Sequence, residues 1–341
     1  MPSDKVSRVT RKRISIEDVA QHAGVSITTV SRVINNIPTV NKKNRTKVEE
    51  AIAVLKYKPN VSAQRLARGL NNAVGLVMPG YPGIFHSFYA IEIIRGIGHA
   101  CETLKLDLIF HITDGYTSLN TNNVGGVIFA DIIENKKQII AALEEGIPCM
   151  VINNIVGDLD INYIAVDNVK GAKIATDYLL SLGHKNIAII SGNVNIQSGA
   201  HRLEGFLQTF KKKNVPLNED YIFKGDYSRR CARTATEQFL KMKQPPTAIF
   251  ACSDDMALEA VATILEKGLK VPEDISVIGF DDNPAGLYGP VSLTTIRQPL
   301  FKMAEEAVKY LNSIVSGKKN APAKIILSPE LVTRESCSSP K

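Results

Sequence analysis

Tryptophan is absent from the 341 residues, and with it the best stacking platform for a carbohydrate ring. The five cysteines, Cys101, Cys149, Cys231, Cys252 and Cys337, are scattered without CxxC spacing. That pattern argues against a disulfide frame or a zinc site, and for reduced, buried thiols in a cytoplasm. No apolar run reaches the length of a membrane span, and the polar, basic N-terminus shows no signal-peptide core, so no membrane partner is expected. The chain lacks GxxxxGK[ST], a GxGxxG opening a helix after a strand, and a GxSxG elbow. The six histidines form no HxxxH pair. Nothing asks for an enzyme, a metal or a cofactor.

What is present is unevenly charged. Residues 1–70 carry fourteen Lys and Arg against five Asp and Glu, a net +9; the rest of the chain is at −2. A basic head on a near-neutral body is the footprint of a nucleic-acid-binding module joined to something else. Ile16, Val19, Ala20 and Ala23 recur at i, i+3, i+4, i+7, one apolar stripe on a short helix. Ser15 is its candidate N-cap and Gly24 its stop. Ser26 then caps a second helix over 27–35, with Val30 and Ile34 inward and Ile27, Thr28, Ser31 and Arg32 outward. A third helix after Asn41 buries Val48, Ala51, Ile52 and Leu55. Helix, glycine turn, helix is a helix-turn-helix, whose second helix reads the major groove.

The run IEDVAQHAGVSITTVSRVIN at 16–35, continued through Lys56-Tyr-Lys-Pro-Asn60, resembles the signature of the LacI/GalR (lactose-repressor) family. The resemblance implies operator-DNA contacts from Ser26, Ile27, Thr28, Ser31, Arg32 and Asn35. It also implies a hinge helix at 59–70, where Asn60, Ala63 and Leu66 meet the minor groove and Leu66 wedges between base steps. A helix that short is marginal alone and forms when two copies meet on DNA, so a homodimer is implied.

From Ala73 the pattern turns to short β-rich runs, at 73–78, 106–112, 126–130, 149–153, 187–191, 221–224, 248–252 and 275–280, with helical stretches between most of them. Alternating βαβ units predict parallel sheets with helices on both faces. The fold class expected is an N-terminal all-α helix-turn-helix head plus an α/β body of two doubly wound, periplasmic-binding-protein-like lobes. The boundaries expected are a basic tail at 1–13, the head at 14–58, the hinge at 59–70, a first lobe at 71–167 and 296–325, and a second at 168–295 and 326–337. Residues 113–124, rich in Asn, Thr and Gly, leave no room for the helix the family places there. Ser253 stands where the family commonly has Asn.

Ligands of such sheets bind outside the carboxyl ends of the strands. Asn153, Ser253 and Asp281 fall at such ends, Arg202 opens the helix that follows the strand at 187–191 and its long loop, and Tyr81, Phe85 and Phe88 follow the first strand. An Arg fork with a carboxylate suits vicinal hydroxyls, so the expected effector is a sugar. For the aromatics, packing beside the cleft is the competing reading; for Arg202 and Asp281 it is an interlobe salt bridge or helix cap. The function implied is a cytoplasmic, nucleoid-associated transcription regulator, a repressor, switched by this effector. The alternatives are a regulator answering to a nucleobase corepressor or a partner protein, a plain small-molecule binder, or an enzyme.

Overall fold

The computed structural model describes residues 15–34, 38–55, 57, 72–80, 84–114, 117–121, 123–130, 135–317 and 323–341. The basic tail, the hinge with Asn60, Ala63 and Leu66, and also Asn35 and Tyr81, lie outside the described residues. The chain divides into two compact units, residues 1–71 and 72–341.

The first unit holds α1 (Ile16–Ala23), α2 (Ile27–Ile34) and α3 (Lys42–Leu55). Ser15 and Asp18 form a reciprocal capping box on α1, and Gly24 ends it in the left-handed region at φ 62. The Ser26 Oγ accepts from the Thr29 N–H at 3.2 Å and starts α2. Asn41 Oδ1 accepts from the Asn44 N–H and starts α3. The core consists of Val19, Ala20, Ala23, Val30, Val33, Val48 and Ala51. Val33, three residues on from Val30, takes the inward place assigned to Ile34, which is only half-buried. Ile16, Val25, Ile34, Val40, Ile52, Leu55 and Tyr57 pack half-buried against this core, so Ile52 and Leu55, expected inside, sit at its margin.

The second unit runs β1 (Ala73–Pro79), α4 (Phe88–Leu104), β2 (Asp107–Thr113), β3 (Gly126–Phe129), α5 (Lys136–Glu144), β4 (Cys149–Ile152) and β5 (Asn162–Val166). It continues with α6 (Asn168–Ser181), β6 (Ile187–Ser191), α7 (Gln197–Lys213), β7 (Ile222–Lys224), α8 (Arg229–Leu240), β8 (Ala248–Ala251), α9 (Asp254–Glu266) and β9 (Ser276–Asp281). It ends with β10 (Thr294–Arg297), α10 (Leu300–Val315), β11 (Lys324–Leu327) and β12 (Glu330–Val332). Two sheets result, ordered β11-β5-β4-β3-β1-β2 and β12-β10-β9-β8-β6-β7. Every described pairing is parallel except β10 with β12. The central strands β1, β3, β4, β6 and β8 are buried along their whole length, as strands covered by helices on both faces must be.

The chain passes between lobes at Asp167, at Gln298-Pro299 and at Ser328-Pro329. β10 stays in register with β9 through Arg297, and β11 with β5 through Leu327. Two crossings therefore fall two residues beyond the boundaries expected at 295/296 and 325/326. The physical reason is the ladder: each strand pairs until just before a proline, which has no N–H to continue it. Among the described residues of 114–125 there is no helix, and Ile112 on the edge strand β2 remains 48 % exposed.

Candidate DNA-reading helix and candidate interlobe site

The apolar side of α2 faces the core, which turns the other side out. Ile27 is 47 % exposed, and Ser26, Thr28 and Arg32 are exposed, while Ser31 is half-buried. Arg32 has no acidic partner among the described residues. An exposed guanidinium and hydroxyls on one face of a short helix match base edges and phosphates. Ser26 already uses its Oγ as the α2 cap, so its role begins as structural.

In the body Arg202 lies on the inner side of α7 and is only 4 % exposed. Its guanidinium stacks over the Phe280 ring, 3.8 Å from the centroid. Nε donates to Asn168 Oδ1 at 2.8 Å and Nη1 to the Cys252 carbonyl at 2.6 Å. Nη1 also stands 3.8 Å from Asp281 Oδ1. Nη2 has no acceptor among the described residues. Asp281 ends β9 at φ 134, a backbone region that favours glycine, and receives the Gln298 Nε2 at 2.6 Å. Asn168 opens α6 just after the first crossing, and Gln298 lies on the second. The Arg202–Asp281 pair is thus tied to two of the segments that join the lobes.

Behind it Asp254, the first residue of α9, is fully buried. The Thr295 hydroxyl donates to its Oδ1 at 2.5 Å, and the Asn283 N–H to its Oδ2 at 2.6 Å. Burial, with the neighbouring Asp281 charge, pushes its carboxyl up to about 8. Burial likewise pushes Asp281 up to about 6, against the pull of Arg202. Arg202 thus faces Asp281, while burial biases Asp254 behind it toward its neutral form.

The structure joins Arg202 and Asp281 directly, and Ser253 through the carbonyl of its neighbour Cys252. Ser253 Oγ accepts from the Met256 N–H and caps α9, so its hydroxyl starts committed to the helix. Asn153 follows β4 in the first lobe at φ 59, with its Oδ1 buried and unpaired. Phe88 is half-buried against the first lobe's core. Phe85 is 53 % exposed, and its ring lies 6.0 Å from Phe110 of the edge strand β2. No described contact links either ring to Arg202. Sequence reasoning missed Tyr227, whose ring lies 5.9 Å from the Arg202 guanidinium and whose hydroxyl lies 3.2 Å from Ser198 Oγ. It packs where Gly192 leaves space: a Cβ there would reach within 1.9 Å of the ring. The carboxyl-end rule applied to β7 finds it, three residues beyond that strand. Asn168 and Gln298 carried no such signal, because their roles follow from the crossings.

Both units are similar to known proteins. A family model described as bacterial regulatory proteins, lacI family, matches residues 15–60, and one described as periplasmic binding protein-like domain matches 176–337. The probable HTH-type transcriptional repressor ExuR of Bacillus subtilis (strain 168) is 34 % identical over 95 % of this chain and 98 % of its own length. The lac repressor dimer bound to operator and the anti-inducer ONPF superposes with a TM-score of 0.79 at 27 % identity, covering 96 % of this chain and 100 % of that one. The complex of the transcriptional regulator CelR with cellobiose superposes with a TM-score of 0.71 at 27 % identity, covering 95 % and 100 %.

Proposed function

The chain belongs to the lacI family of bacterial regulatory proteins, and from that premise we propose that it represses transcription as a cytoplasmic homodimer whose hold on operator DNA is set by an uncharged sugar between its lobes. It is a DNA-binding transcriptional regulator with a helix-turn-helix head and a two-lobed, periplasmic-binding-protein-like body. We assign Ser26, Ile27, Thr28, Ser31, Arg32 and Asn35 to the major groove, and Asn60, Ala63 and Leu66 to the minor groove. The body binds and does not catalyse.

One observation carries the effector reading: Arg202, its guanidinium lying on the Phe280 ring, and Asp281, at the carboxyl end of β9, are far apart in sequence yet stand 3.8 Å apart. A guanidinium beside a carboxylate offers donors and acceptors together, which vicinal hydroxyls answer in kind. Opposite charges in near balance favour a neutral ligand over an anion. CelR, similar in fold, holds cellobiose. Tyr227, Asn153 and Gln298 complete the lining we assign, with Tyr81, Phe85, Phe88 and Ser253 at its margin.

The test begins with thermal shift of the full chain against neutral sugars, sugar acids and nucleobases. A DNA site selected from a random library is then titrated with and without the hit. Stabilisation and altered DNA affinity with a neutral sugar support the reading. A response confined to a sugar acid or a nucleobase overturns it.

A further inference from the structure

The lobes are joined by more than their crossing segments. Gln197 is the first residue of α7 in the second lobe, and Ile155 follows β4 in the first. Gln197 Oε1 accepts from the Ile155 backbone N–H at 2.6 Å, and its Nε2 donates to the Ile155 carbonyl at 2.9 Å. Both halves of one side-chain amide meet both halves of one residue's backbone. Each end is firmly mounted. Val156, next to Ile155, is buried in the first lobe's core. Gly199 lets α7 start hard against the loop before it, since a Cβ there would stand 2.1 Å from the Asn193 carbonyl oxygen. Ile196 occupies the N-cap position with no side-chain cap, so the Gln197 amide serves the opposite lobe and not its own helix.

We propose that Gln197 is a positioning residue for the effector cleft, its clasp on Ile155 setting the span between the wall that carries Asn153 and the wall that carries Tyr227 and Arg202. The assignment rests on the effector reading above and adds the residue that fixes the gap a ligand must bridge. Its neighbours tie it to both walls. Asn153 lies two residues before Ile155. Ser198, directly after Gln197, shares a hydrogen bond of 3.2 Å with the Tyr227 hydroxyl, and the Tyr227 ring lies over Arg202. A ligand that moves the Tyr227 ring pulls on the residue beside the clasp. Two hydrogen bonds between neutral groups are weak enough to break in a minor state, yet bias a two-state hinge by about tenfold.

The test needs no ligand, so its failure is distinct from failure of the effector reading. Spin labels are placed on Glu144→Cys in α5 and Lys211→Cys in α7, both exposed, in the full chain carrying Cys231→Ser and Cys337→Ser. Pulsed electron paramagnetic resonance then reads the distance across the cleft. Gln197→Leu keeps the bulk and removes both hydrogen bonds. The expected result is a longer, broader distribution, with about tenfold more of the open population than in the parent chain. Gln208→Leu, exposed on the same helix, should leave the distribution unchanged. If Gln197→Leu does not fold, Gln197→Glu retains the acceptor for the Ile155 N–H and loses the donor to its carbonyl, and the shift is again expected. A distance distribution unchanged in the folded variant overturns the proposal.

Discussion

The Asp254 carboxylate lies against the α-carbon of Gly279, so close that a Cβ on that glycine would stand 2.1 Å from Oδ1. The missing side chain is what lets a fully buried acid sit between α9, β9 and β10. Through Thr295 and Asn283 the acid ties β10 and the turn after β9 to the start of α9. Asp281, the last residue of β9, stands directly before that turn. Asp254 therefore braces the Asp281 segment from behind, with both carboxyl oxygens taken up by protein donors.

Gly279→Ala should destabilise the body by about 1–3 kcal/mol, the usual cost of forcing an extra group into a packed site. Urea unfolding of the full chain, followed by circular dichroism, measures it. A loss below a few tenths would mean that Asp254 moves aside freely.

The raised acids predict a pH dependence with a definite sign. Asp254 is pushed up to about 8 and Asp281 to about 6, whereas both ionise near 4 in an unfolded chain. Between those values the folded body retains protons that the unfolded chain has released. Stability therefore falls as pH rises through the window from about 4 to about 8. Asn cannot titrate, so Asp254→Asn should flatten that fall. Thermal melts at pH 5 and pH 8 compare the slopes, and an equal slope in the variant assigns the titration to other groups.

In the head the first helix is bounded by two local signals, the Ser15 capping box and the Gly24 stop. Ser15→Ala removes the capping box and should cost about 1 kcal/mol. Gly24→Ala meets no atom within 4 Å, so its cost, about 1 kcal/mol, comes from the left-handed backbone alone. Amide NMR signals of residues 15–55, followed through a denaturant titration, separate the head's unfolding from the body's. A Gly24→Ala head as stable as the parent would show that the turn adopts another conformation at no expense.

Much of the fold was legible because its signals are local. The stripe Ile16, Val19, Ala20, Ala23 and the Gly24 stop define α1, and continuous apolar runs define the buried strands. What was missed is set by tertiary pairing. β11 and β12 are short, and Ile325 and Ile326 stay exposed, so neither strand shows a buried apolar run. In α2 a helical stripe admits either Val33 or Ile34 at its edge, and packing chose Val33. At the site, Asp281 was visible as a polar group at a strand end and Arg202 as a cation on the helix after β6, a helix that starts at Gln197 and not at Arg202. Their partners Asn168 and Gln298 were not, since only the crossings bring them there. Phe280 had the look of an ordinary core residue, and only the folded chain shows a guanidinium lying on it.

On the DNA side, Arg32→Ala should weaken binding to a selected site by about 1–3 kcal/mol if the guanidinium reads a base edge. Thr28→Ala should change the preferred sequence more than the affinity. Fluorescence anisotropy on selected and random duplexes distinguishes the cases. An equal loss on both duplexes reassigns Arg32 to phosphate positioning.

Arg202→Ala should abolish the ligand-dependent change in operator affinity while leaving ligand-free affinity near that of the parent. A ligand shifts two body states only through contacts that differ between them, so removing its anchor removes the shift without touching the DNA surface. The coupling at stake is about 1–3 kcal/mol. Removing the guanidinium also strips Asp281 of its only cationic neighbour among those that shift it downward, so burial drives that carboxyl further up and its charge is lost to the ligand as well. Arg202→Lys should not rescue the response. An ammonium cannot lie flat on the Phe280 ring while reaching both Asn168 Oδ1 and the Cys252 carbonyl. Operator titrations of both variants, with and without the sugar found by thermal shift, make the measurement. A full response in Arg202→Ala would put the effector elsewhere, and loss of ligand-free operator binding would make Arg202 a structural residue of the second lobe.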